Sequence, residues 1–94
     1  MYAIFYDTLA NMYGDYTLPE PSKYTTFDDA AKALNKIYQE EVKSQGVCLK
    51  VVEKDGRIEH HYKDESSVIK DYNSVSLFYD DECVESYEIR KVGF

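Results

Sequence analysis

The chain has 94 residues, 44% of them apolar, enough for one modest core, so residues 1–94 are read as a single compact domain. No run approaches the roughly 20 apolar residues of a membrane span, and the N-terminus lacks a basic start and a small-residue cleavage site, so a cytoplasmic protein without membrane contact is expected. The formal net charge of −7 argues against direct nucleic-acid binding, because a grip on phosphates needs clustered Lys and Arg.

Taken in chain order, Tyr2–Tyr6 (YAIFY) is β-branched and aromatic and predicts a strand beginning almost at the first residue. From Asp7 to Thr25, turn formers (Asn11, Gly14, Pro19, Pro21) alternate with Tyr13, Tyr16 and Tyr24. A structureless loop of that length is unusual in so small a domain, so a second short strand near Tyr13–Leu18 is expected, paired to the first as a hairpin. Pro19 and Pro21 then bar its continuation.

The clearest element is a helix over about 27–44. Thr26 can cap it, Asp28 and Asp29 suit the positive end of the helix dipole, and Gly46 stands where a left-handed stop is wanted. Phe27, Ala30, Ala31, Leu34, Ile37, Tyr38 and Val42 form one apolar stripe, with Asp28, Lys32, Lys36, Glu40 and Lys43 opposite it.

Cys48 to Lys63 holds two alternating runs around Asp55-Gly56, a strong type I′ hairpin signal. A two-residue turn sets Glu53 against Ile58, Val51 against His60, Leu49 against Tyr62 and Cys48 against Lys63 on the two strands, with Lys50 opposite His61. The segment 65–72 fits a helical turn or a short strand, and the helix is favoured here. Val75–Tyr79 reads as a strand, Asp80–Cys83 as a turn, and Val84–Val92 as a last strand with Tyr87 and Ile89 on one side. The order β-β-α-β-β-β-β predicts an α+β fold: an antiparallel sheet of about five to six strands with one amphipathic helix across one face.

The adjacent His60 and His61 are the natural place to look for chemistry. Successive strand residues point to opposite faces, so both rings cannot ligate one metal. A Cys48–His61 nucleophile pair, or a metal site adding Cys83, needs a third group that no motif announces. Two cysteines are too few for a disulfide scaffold, and a Cys48–Cys83 bridge requires the two positions to be neighbours. There is no phosphate-cradling glycine loop, nucleophile elbow or HExxH, and adjacent carboxylates such as Asp28-Asp29, Asp64-Glu65 and Asp80-Asp81 read as caps and turns. No catalytic residue, metal or cofactor is expected, and the protein is read as a non-enzyme.

Surface charge is more informative. Residues 1–22 contain Asp7, Asp15 and Glu20 and no Lys or Arg, whereas residues 23–63 hold eight basic and seven acidic groups. Residues 64–94 hold three basic and eight acidic groups, five of the latter between Asp80 and Glu88. If the first and last strands lie together, Asp15, Asp80, Asp81, Glu82, Glu85 and Glu88 pool into one acidic field with Tyr13, Tyr16 and Tyr79 at its margin. Carboxylates steer and pair with Arg and Lys while tyrosine supplies desolvated contact area, so the partner indicated is a larger protein with a basic surface.

A short, acidic, single-domain, motif-free chain of this sort is similar in kind to many phage-encoded inhibitors of host defence nucleases, anti-CRISPR proteins among them. No motif carries that similarity and no residue role follows from it. The expected function is a small protein-binding inhibitor that acts as a nucleic-acid mimic, present as a monomer or homodimer. The alternative is an accessory or homodimerising domain whose acidic charge serves solubility.

Overall fold

In the computed structural model, residues 1–8, 18–19 and 23–93 are described, and for 18–19 the backbone alone. The elements are β1 (Tyr2–Thr8), β2 (Leu18–Pro19), α1 (Phe27–Ser44), β3 (Cys48–Lys54), β4 (Arg57–Tyr62), β5 (Ser66–Lys70), β6 (Ser74–Tyr79) and β7 (Glu82–Lys91). They form one antiparallel sheet in the order β2-β1-β7-β6-β5-β4-β3, with α1 across one face, the α+β arrangement expected from the pattern. Strands β3 to β7 follow one another as a meander, and β1 closes onto the last of them.

The helix begins where capping chemistry places it. The Thr26 hydroxyl accepts from the Asp29 N–H at 3.2 Å, and Asp28 and Asp29 occupy the first turn. Its end differs from expectation. Gly46 supplies no left-handed stop; the chain turns extended at Gln45 (φ −82°, ψ 165°) and the side chains take over the polar work. Ser44 donates to the Glu41 carbonyl at 2.9 Å, and Ser66 bridges between Gln45 and Asp64.

Three strand readings change as well. Segment 66–70 is the strand β5, because Val68 fills the sheet core at 0% exposure opposite Leu77 and His60, a tertiary demand that outweighs ambiguous local preference. Pro19 lies within β2 opposite Phe5; an edge strand tolerates the missing N–H. Of the strand expected over Tyr13–Leu18, positions 13–17 lie outside the described residues. In the β3–β4 hairpin the two central residues take the positive φ a type I′ turn needs (Asp55 54°, Gly56 78°), and the register holds from Lys54↔Arg57 to Lys50↔His61. Beyond it Leu49 is inserted as a bulge, so Cys48, rather than Leu49, stands opposite Tyr62.

The core lies between α1 and one sheet face: Ala30, Leu34 and Tyr38 against Ile4, Ile89, Val75, Val68 and Tyr62. Helix α1 packs against β1, β5, β6 and β7. A helix is about 10–12 Å wide with its side chains and strands are about 4.8 Å apart, so one helix cannot roof seven strands. The β3 end of the sheet therefore extends past its cover. On the other face, Arg90 stands opposite Ala3 and lays its guanidinium over the Phe5 ring at 4.7 Å, shielding β1 there.

Leu34 and Tyr62 test this account from opposite directions. Leu34→Ala removes a side chain that is 1% exposed and should cost about 2–5 kcal/mol in urea unfolding. The Tyr62 hydroxyl is buried with no hydrogen-bond partner among the described residues, so Tyr62→Phe should lie within about 1 kcal/mol of wild type or be slightly more stable.

Candidate interaction surface

The two histidines separate as alternation requires. His60 faces the helix, its Nε2 hydrogen-bonded to the Tyr38 hydroxyl and its ring stacked beside Tyr62, and burial followed by the neighbouring His61 holds its pKa below the ordinary value. His61 lies on the open face, where Glu59 receives its Nε2 at 3.1 Å and Arg57 at 3.3 Å. Cys48 and Cys83 are free and exposed, and they belong to β3 and β7, four strand positions apart. At about 4.8 Å per strand that is roughly 19 Å, which removes both a Cys48–Cys83 bridge and a metal site joining Cys48, His61 and Cys83.

Charge, in contrast, is brought together. The β4–β5 and β6–β7 turns lie at the same end of the sheet, tied by the Asp80 N–H donating to the Glu65 carbonyl at 3.2 Å. Asp80 (φ 50°) and Asp81 (φ 65°) form the two-residue turn between Tyr79 and Glu82, a conformation that Asp tolerates better than most side chains. The last residues of β1 arrive at the same end through Thr8↔Glu85 and Asp7↔Ser86. Asp7, Asp64, Glu65, Asp80, Asp81 and Glu82 are all exposed there, and Tyr79 among them is 53% exposed. Ser66 draws the Asp64 carboxyl below its ordinary pKa by side-chain and then backbone hydrogen bonds. Asp7 lies close enough to raise the Cys83 thiol, whose pKa partial desolvation has already pushed up.

Of the residues proposed from the sequence, Tyr79, Asp80, Asp81 and Glu82 form this surface. Glu85 turns inward onto the helix side, where it accepts from the Tyr87 hydroxyl at 3.3 Å. Glu88 lies on the open face, opposite Phe5 and bonded to Arg90 Nε. Tyr13, Asp15 and Tyr16 lie outside the described residues. Asp7, Asp64 and Glu65 were missed, since only the strand order brings three separated stretches to one end.

A second feature also escapes a reading by adjacency. Glu41 of α1 lies near Glu85 of β7, beside the Tyr6 and Tyr87 rings, whose centroids are 4.8 Å apart. Burial first, then the neighbouring Glu85 carboxyl, and then Glu40, raise Glu41 from 4.5 to about 7. The same surroundings push the Tyr87 phenol well above its usual range, burial leading and Glu85 following. The signal was present: Glu41 continues the Leu34 and Tyr38 stripe, and Glu85 shares parity with Tyr87 and Ile89. Chemically the pair holds one proton near neutral pH and lies just inside the acidic surface.

No helix among the described residues is long and apolar enough to cross a membrane, and no three His, Cys, Asp or Glu side chains among them are placed to hold a metal ion together. Comparison with protein-family models, curated proteins and solved structures finds no match to this chain.

The carboxyl pair imposes a pH dependence. Because the fold raises the Glu41 pKa, folding binds its proton more tightly than the unfolded chain does. That contribution is complete below about 4.5 and is lost as pH rises through about 7. Wild-type melting temperature should therefore fall between pH 5 and pH 8 relative to Glu41→Gln, which keeps a donor toward Glu85 at every pH. Parallel profiles for the two proteins would show that Glu41 titrates normally.

Proposed function

We propose that this chain is a small, non-enzymatic, protein-binding inhibitor that acts in the cytoplasm by occluding a basic, nucleic-acid-binding surface on a larger protein. It is of the kind phages encode against host defence nucleases, anti-CRISPR-like in its mode of action. The observation that carries this reading is the pooling of Asp7, Asp64, Glu65, Asp80, Asp81 and Glu82 at one end of the sheet, beside the half-exposed Tyr79. Among the described residues, Lys43 at the neighbouring helix end and Lys63 in the β4–β5 turn, both exposed, bring positive charge nearby. Single exposed carboxylates contribute little to affinity, but a field of one sign accelerates encounter with a basic partner and rejects acidic ones. Tyr79 supplies the rigid, amphipathic contact area that anchors the centre of such interfaces.

The charge can be altered without disturbing the hairpin, because Asn-Gly is the preferred occupant of a type I′ turn. Asp80→Asn, Asp81→Gly and Glu82→Gln together remove three carboxylates and keep the turn. In competition assays, wild-type protein should displace a fluorescent DNA duplex or guide RNA from at least one of a panel of purified defence nucleases. The triple variant should compete about tenfold less well at low salt, with a shallower dependence on ionic strength. Equal competition by the two proteins, or failure of the wild type against the whole panel, would overturn the proposal.

A further inference from the structure

The strand at the other side of the sheet is unlike the rest of the molecule. All seven residues of β3 are exposed, and four of the seven large apolar side chains exposed among the described residues lie on it or lead into it: Val47 (64%), Leu49 (65%), Val51 (52%) and Val52 (38%). β3 is also the terminal strand, with β4 on one side and no strand on the other among the described residues. The two-residue turn makes Lys54↔Arg57 the closing hydrogen-bonded pair, so alternation turns the N–H and C=O of Val51 and Glu53 outward, away from β4. A chain of net charge −7 thus presents here an apolar strand edge with open hydrogen-bonding groups and two lysines, Lys50 and Lys54, flanking Val52 on the open face.

Charge decides what can pair with that edge. In a symmetric antiparallel pair of β3 strands, opposed residues must share both a face and a hydrogen-bonding direction, so only registers joining residues of like parity are allowed. Centring on Val52 sets Lys50 against Lys54 of the second copy. Centring on Lys50 sets like charge on like. Centring on Val51 avoids direct opposition but leaves all four lysines on one face at diagonal spacing. Like charges opposed across strands are destabilising, and Lys on an edge strand is a recognised guard against self-pairing. A strand with carboxylates at those positions meets the reverse situation.

We propose that the β3 edge is a docking site for an extended segment of a partner protein that adds as an antiparallel strand. Its acidic side chains lie opposite Lys50 and Lys54 and its apolar side chains opposite Val51 and Val52. Main-chain hydrogen bonds to Val51 and Glu53 give affinity, and the alternate side chains give selection, as in other strand-addition interfaces. This surface is separate from the acidic end and does not depend on the function proposed for it.

The probe is the heptapeptide Thr-Glu-Thr-Val-Val-Glu-Thr, which sets Glu against Lys54 and Lys50 and Val against Val52 and Val51. Its control carries Lys in place of both Glu. Fluorescence anisotropy at low salt should find the acidic peptide bound at least tenfold more tightly than the basic one, with Lys50→Glu/Lys54→Glu inverting the preference. Hydrogen exchange should show the Val51 and Glu53 amides newly protected. Val51→Pro, which removes an outward N–H at an edge position, should abolish binding while the circular dichroism spectrum is unchanged. Equal binding of the two peptides, no binding up to millimolar concentration, or light scattering showing a dimer with Val51 already protected would each overturn the proposal.

Discussion

The antiparallel ladder between β1 and β7, from Tyr2↔Lys91 to Thr8↔Glu85, is the constraint on which the rest of the molecule depends. It joins β1 near the start of the described chain to β7 near its end, setting Ile4 against Ile89 and Tyr6 against Tyr87, and so makes part of the floor on which α1 rests. Because the strands between Cys48 and Lys91 pair in sequence, this one long-range ladder turns a meander into a sheet broad enough to hold a helix. It also carries Asp7 to the β6–β7 turn, making acidic residues distant in sequence neighbours in space.

The two sides of the sheet carry different chemistry for one geometrical reason. Helix α1 covers β1, β7, β6 and β5 and reaches β4 through Tyr38, beside His60 and Tyr62, whereas all seven residues of β3 are exposed. Beneath the helix, apolar packing is dense enough to hold a carboxyl pair, Glu41 with Glu85, in a partly desolvated place where one of them keeps a proton toward neutral pH. Beyond the helix, Val51 and Leu49 stay exposed although their sequence pattern is that of a half-buried strand. The same apolar alternation is satisfied in one place and left unsatisfied in another, and cover rather than composition makes the difference.

Much of the fold was legible along the chain. The cap at Thr26, the stripe through Leu34 and Tyr38, and the Asp55-Gly56 turn are local features, written within a few residues of where they act. β5 was not legible, because Val68 and Ile69 fit either period and only pairing to β4 and β6 settles them. The bulge at Leu49 and the inward turn of Glu85 likewise follow from cross-strand register and helix placement, which no local pattern encodes.

The sequence by itself determined the α+β class, the helix and its buried face, the opposite facing of His60 and His61, and an acidic excess concentrated in the outer thirds of the chain. Each follows from short-range periodicity, turn chemistry or summed charge. Only the tertiary structure decided which carboxylates share a surface, which one shares a proton, and which apolar strand is left without cover. Those outcomes depend on strand order and on where one helix lies over seven strands, and both are set by contacts between residues far apart in the chain.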